Sequence, residues 1–174
     1  VTTTVIADQL GISVGSIYAY FRDRAAIFDE IIARAIAEHD KLIVAAHDRM
    51  IDLPWIDASV AVIDTIVEIY RTDPGFVCLW FSRHLSTGML EAMRLSDEVQ
   101  AQVGLDRLTV RGLRLDTVSP MDTMRMYVGL IDKGLDLAFR LDPRGNESMI
   151  EETKQVVRQY VAPFINPLPS TDEC

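Results

Sequence analysis

The sequence predicts an all-α chain. Apolar residues recur at three- to four-residue spacing along almost its whole length, no segment alternates apolar and polar residues as a half-buried strand does, and helix starts and stops fall between the periodic stretches. With 174 residues and 49% hydrophobic content, the chain can bury one substantial core and a smaller N-terminal one. It contains no internal repeat.

The first element is a short helix opening at Thr3-Thr4 and carrying Ile6, Ala7 and Leu10. Gly11 is expected to stop it, because glycine takes the left-handed conformation without a Cβ clash. Ser13 then caps a second helix from about Val14 by accepting from a free backbone N–H. The spacing of Ile6, Leu10, Ile12 and Ile17 buries one face of each helix across a sharp turn, and Ala7 lets the two touch. The outward residues Val14, Gly15, Ser16, Tyr18 and Tyr20 are small or carry hydroxyls, and they lie near a helix N-terminus. Such a surface suits a DNA major groove and its flanking phosphates.

The string from Gly15 through Tyr18-Ala19-Tyr20-Phe21-Arg22-Asp23-Arg24 to Phe28, with Ile6-Ala7 and Leu10-Gly11-Ile12-Ser13 before it, closely resembles the tetracycline-repressor (TetR) family over about residues 3–36. The resemblance implies base-edge or close groove contact for Val14, Gly15 and Tyr18. It implies phosphate contact for Ser16, Tyr20 and Arg24, with Thr3 and Thr4 also near DNA. Arg24 stands where the family usually has lysine, so a planar fork replaces a point charge. Phe21 and Phe28 are read as packing residues. The family places a further helix and a basic arm ahead of this point, so the resemblance implies an N-terminal helix before Val1 that would cover Ile6, Ile17 and Phe21. The organisation expected is a DNA-binding helix-turn-helix at 1–28, N-terminally incomplete, and a helical ligand-binding and dimerisation domain at 29–174.

Charge is distributed to match. The chain carries a net −9, yet through Phe28 Arg22 and Arg24 balance Asp8 and Asp23. A neutral head on an acidic body would present one end to nucleic acid. No apolar run is long enough for a bilayer and no signal pattern opens the chain, so no membrane partner and a cytoplasmic location are expected. Cys78 and Cys174 form no disulfide framework and are read as reduced, structural residues.

A long helix is predicted from Asp23 or Arg24 toward Met50, burying Ile27, Ile31, Ile32, Ala35 and Leu42. Pro54 opens the next, whose Val60, Ile63, Val67 and Tyr70 repeat until Thr72-Asp73-Pro74. A shorter helix runs through Phe76, Leu79, Trp80 and Arg83, and Ser96-Asp97-Glu98 suggests the start of another through Val103, Leu108 and Leu115. Ser119-Pro120-Met121-Asp122 gives a strong start to a helix reaching about Leu141. After Asp142–Asn146 the last helix spans Glu147 to Val161, and Pro163, Pro167 and Pro169 mark a frayed tail.

The helix from Met121 to Leu141 is apolar on two sides. Met124, Val128, Ile131, Leu135 and Ala138 form one stripe, while Met126, Leu130, Leu137 and Leu141 form another that needs a second cover. Gly129 and Gly134 permit close backbone approach, and Ile150, Val156, Val157 and Tyr160 offer a companion face. In the resembling family the last two helices pair with their symmetry mates, which implies a homodimer with Val128, Leu130, Leu137, Leu141, Ile150, Val157 and Tyr160 at its interface.

An input site is expected among Trp55, Phe76, Trp80, Phe81, His84, Met89, Met93 and Tyr127, whose aromatic and thioether groups suit an apolar or aromatic small molecule. Catalytic patterns are lacking: His39, His47 and His84 have no compact metal spacing, no Gly-rich phosphate loop occurs, and no serine sits in a strand-to-helix elbow. No metal and no cofactor are expected, and the histidines are read as surface residues. The chain thus reads as a ligand-responsive transcriptional regulator, a homodimeric repressor on a palindromic double-stranded operator. The competing reading is a helical homodimeric interaction protein that does not bind DNA.

Overall fold

In the computed structural model, residues 2–81 and 86–169 are described. Among the described residues eight α-helices follow one another: α1 Thr3–Leu10, α2 Val14–Tyr20, α3 Arg24–Arg49, α4 Trp55–Thr72, α5 Pro74–Trp80, α6 Thr87–Val110, α7 Pro120–Phe139 and α8 Glu147–Val161. The chain is all-α as expected, apart from one small sheet. Among the described residues no helix is long and apolar enough to cross a membrane.

Side-chain caps start most of these helices. Thr2, Ser13, Asp23, Asp73, Ser86, Ser119 and Asn146 each accept from a backbone N–H three residues on. Each satisfies a donor that the helix cannot, worth about 1 kcal/mol. Gly11 ends α1 at φ 66°, the left-handed conformation expected of it.

Two boundaries differ from the sequence reading. Ser96-Asp97-Glu98 does not open a helix: α6 begins at the Ser86 cap and runs straight through it. Ser96 instead turns inward, where its hydroxyl donates to Asp40 Oδ1 at 2.8 Å. The expected frayed tail is also paired. β1 (Leu113–Leu115) and β2 (Ile165–Pro167) form an antiparallel ladder with Leu115 opposite Ile165. Three-residue strands are too short to show alternation, and Leu115 is strand rather than helix.

Two apolar cores form. The smaller joins Ala7, Ile17 and Ile27, with Ile6, Val14 and Phe21 packed against it. Leu10 and Ile12, expected to face inward, are exposed, because the short α1 and α2 meet chiefly through Ala7 and Ile17. The larger core unites α3 to α8. Along α3 the buried side is Ile27, Ile32, Ile36 and Ala46, while Ile31 and Leu42 lie in solvent. The helix is half-covered along its length, so its periodic apolar residues outnumber the places that can bury them.

Candidate functional site

The head presents its predicted residues from α1, α2 and the start of α3. Tyr20 is 88% exposed and Tyr18 is also exposed. Thr3 Oγ1 and Tyr18 OH are 3.4 Å apart, which ties the start of α1 to the middle of α2. The Ser13 and Ser16 hydroxyls share a hydrogen bond of 2.9 Å at the N-terminus of α2. Gly15 is exposed, whereas Val14 is partly buried against the small core, which limits its reach outward. Arg24 opens α3 with its guanidinium 5.3 Å from the centre of the Phe28 ring. Ser16, Tyr18 and Tyr20 thus stand on a short, capped helix, and Arg24 on the capped first turn of the long α3.

The body encloses a cavity of about 90 Å³ between α3, α4, α5, α6 and α7. One water needs about 10–15 Å³ by this kind of measure, so the space holds several waters or a small ring. Trp55, Phe76, Trp80 and Tyr127, four of the expected lining residues, do line it. Phe81 and Met93 do not; they border a shallow depression on the outer side of Trp80. Met89 is buried in the core beside neither space, and His84 lies outside the described residues. The error is one of helix phase: residues close in sequence to the cavity wall point to the other side of their helices.

The walls are set by specific contacts. Phe76 and Trp80 stack with ring centres 5.2 Å apart, and His39 meets Phe76 edge-on at 4.3 Å. Trp55 donates its indole N–H to the Gly104 carbonyl at 3.2 Å. Gly104 has no room for a side chain, since a Cβ there would come within 2.8 Å of Met124 Sδ. By contrast, Trp80 Nε1, Tyr127 OH and His39 Nδ1 are buried without a hydrogen-bond partner. Leaving such groups unpaired costs about 1–3 kcal/mol each.

Sequence reasoning missed the polar half of the cavity. His39 and His47, expected at the surface, line it together with Asp40, Ser59, Ser96, Asp97, Gln100 and Asp132. Burial lowers the His47 imidazole to about 4, helped by Arg107 and Arg111 and opposed by Asp48, and burial also lowers His39. Both rings are therefore neutral near pH 7. Burial pushes the Asp132 carboxyl up to about 7, with Asp97 adding to it. Asp97 rises to about 6, through burial first and then the charges of Asp40 and Glu98. Asp40 accepts from Ser96 and from Gln100 Nε2, each at 2.8 Å. An i, i+4 or i+7 repeat of His39, Asp40, Ile43 and His47 along α3 was the available signal, but polar residues on a helix read by default as its wet face.

At the other side of α7, the second apolar stripe is uncovered. Leu137 is 51% exposed, Met126 is exposed and Leu130 is half-buried, while Leu141, expected on the same helix, lies past its last residue Phe139 and is 94% exposed. Gly129 borders the outer depression beside this stripe, with nothing within 4 Å of where its Cβ would be. Ile150 and Val157, expected at an interface, are 1% and 0% exposed within the protomer and belong to its own core. The outward apolar residue of that stretch of α8 is Val156. Val128 is turned toward the cavity, and Tyr160 is half-buried against Phe164. Cys78, expected to be structural, is exposed and free on α5.

Comparison with known proteins gives a consistent pattern. Residues 53–165 match the family described as "Tetracyclin repressor-like, C-terminal domain", and residues 1–31 match "Bacterial regulatory proteins, tetR family". No curated protein matches the sequence. Among solved structures, a TetR-family transcriptional regulator from Streptomyces coelicolor is similar with a TM-score of 0.63 at 18% identity, over 94% of this chain and 87% of that one. A TetR transcriptional regulator from Legionella pneumophila gives 0.64 at 17% identity, covering 92% and 86%. The reduced form of NemR from E. coli gives 0.59 at 15% identity, covering 92% and 84%.

Proposed function

Because the chain belongs to the tetracycline-repressor family of bacterial transcriptional regulators, we propose that it is a homodimeric repressor released from a palindromic DNA operator by a small aromatic effector. The observation that carries this reading is the course of α3. At its start Arg24 and Ile27 belong to the DNA-reading head, and further along the same unbroken helix Ile36, His39, Asp40, Ile43 and His47 line the cavity. A molecule in the cavity therefore presses on the element that carries the head.

The head reads DNA through Gly15, Ser16, Tyr18 and Tyr20 on α2, with Arg24, Thr3 and Thr4 at the neighbouring phosphates. The exposed stripe of Met126, Leu130, Leu137 and Leu141, with Val156 beside it, pairs with its copy and holds two heads over two half-sites about one helical turn, or a near multiple, apart. An effector then shifts operator affinity only as far as it binds two arrangements of the body differently, and about 5- to 150-fold is ordinary.

The test is selection from randomised duplexes by the intact protein, followed by mobility shifts on the recovered sequence with and without small molecules found to bind the cavity. A recovered palindrome whose affinity falls on ligand addition supports the proposal. Absence of any sequence enrichment favours a helical homodimer that acts without DNA.

A further inference from the structure

We propose that the effector is an organic cation, a compact aromatic ammonium whose charge sits by Asp97 and Asp132 and whose body lies against Phe76, Trp80 and Tyr127. This rests on the cavity being the effector site and goes on to name the chemistry of its occupant.

The charge argument comes from the lining. Asp40, Asp97 and Asp132 all face the cavity, yet no lysine or arginine lines it among the described residues. None of the three carboxylates takes part in an ion pair there. Of the cations outside the wall, Lys133 and Arg140 border the outer depression and are both held by Asp136, at 2.9 and 2.5 Å, while Arg107 and Arg111 lie by His47, the first paired with Asp48 and the second held by backbone carbonyls. His39 and His47 are kept neutral by burial. The charge of Asp40 raises the proton affinity of Asp97, that of Asp97 raises the proton affinity of Asp132, and a bound cation removes that penalty.

A second, independent observation points to a ligand. Tyr127 OH lines the same cavity, its residue is 5% exposed, and its oxygen, which has no hydrogen-bond partner among the described residues, can turn a lone pair toward a cation. The space is bounded by aromatic rings, including the stacked Phe76–Trp80 pair. Aromatic faces attract an ammonium through the ring quadrupole, most strongly when it is desolvated. A metal ion is the wrong cation, because no group of three His, Cys, Asp or Glu among the described residues is placed to hold one. A soft, weakly hydrated ammonium with an apolar body matches both halves of the wall.

The experiment uses benzyltrimethylammonium, its neutral isostere neopentylbenzene, and the smaller anion phenylacetate. Both tryptophans of the chain, Trp55 and Trp80, line the cavity, so intrinsic fluorescence reports its occupation. At about pH 8, where the carboxylates are ionised, the cation is expected to bind at least about ten-fold tighter than either other probe. Asp132→Asn and Asp97→Asn are each expected to remove most of that preference, leaving neopentylbenzene within about two-fold of the parent protein. Equal or tighter binding of the neutral or anionic probe overturns the inference while leaving the cavity as an effector site. Retention of the cation preference in both asparagine variants also overturns it. If none of the three binds, the inference and the effector role of the cavity fall together, while operator selection tests the DNA-binding reading separately.

Discussion

A Cβ placed on Gly134 would lie 2.1 Å from Thr153 Oγ1. The α7–α8 contact is therefore closed to even a methyl group at this point. Thr153 cannot swing away without loss, since its hydroxyl donates to the Met149 carbonyl at 2.7 Å and its side chain is buried.

Gly134→Ala is accordingly expected to destabilise the protein by about 1–3 kcal/mol, the range for overpacking a close contact. Gly129→Ala, on the same helix but facing open space, should instead gain about 0.5–1 kcal/mol from helix propensity. Chemical denaturation of the two variants checks the pair; equal effects would mean that the helices are not seated as described.

Arg24→Ala should weaken binding to all duplexes and lower the slope of log affinity against log salt by about one, as loss of one phosphate contact does. Tyr18→Ala should also change which sequence is preferred. Salt titrations on the selected and on a scrambled duplex separate the two outcomes, and an unchanged slope for Arg24→Ala refutes its phosphate role.

Leu137→Glu places a carboxylate in the exposed stripe of α7 without touching the protomer core. It is expected to release folded monomers, because the charge would be buried unpaired at the interface. Val157→Glu should unfold the protomer instead, since Val157 is fully buried within it. Sedimentation together with circular dichroism distinguishes a folded monomer from an unfolded chain.

The Asp132 carboxyl stands at about 7 in the folded protein against an ordinary 3.8. The native state thus binds more protons than the unfolded state between these values, so this group's contribution to stability is intact below about pH 4 and is lost as pH rises through 7. Asp132→Asn should remove the loss, making the variant more stable than its parent at about pH 8 by on the order of 2 kcal/mol, with the gap shrinking toward pH 5. Asp97, Asp136 and Trp80 act on the same carboxyl and move the midpoint, while the opposite titration of His47 is shared by both proteins and cancels. A gap that widens on acidification would contradict the assignment.

What the sequence made legible was whatever a local rule governs. Gly11, Ser13, Ser119-Pro120 and Asn146 mark boundaries through backbone chemistry, and the structure has them where those rules put them. The cavity was half legible, because its aromatic wall stands out in composition whereas Asp40, Asp97 and Asp132 look like ordinary solvated charges until three helices bring them together. The outer stripe of α7 was visible as excess hydrophobicity. The inward direction of Ile150 and Val157 was not, because a periodic face does not say which neighbour covers it. The β1–β2 ladder depends on a pairing across the chain, which no local window contains.

The continuity of α3 also makes it a lever. Sixteen residues separate Arg24 from Asp40, about 24 Å of helix at a rise of 1.5 Å per residue. A tilt of about 6° about the cavity end carries the head by about 2.5 Å, an amplification of the kind that packed helices support. In the proposed dimer, two heads fitted to half-sites about 34 Å apart would each move, so their separation would change by up to twice that amount. On the proposed function, a pocket only large enough for a small ring would therefore govern contacts on a duplex without any effector atom approaching the DNA.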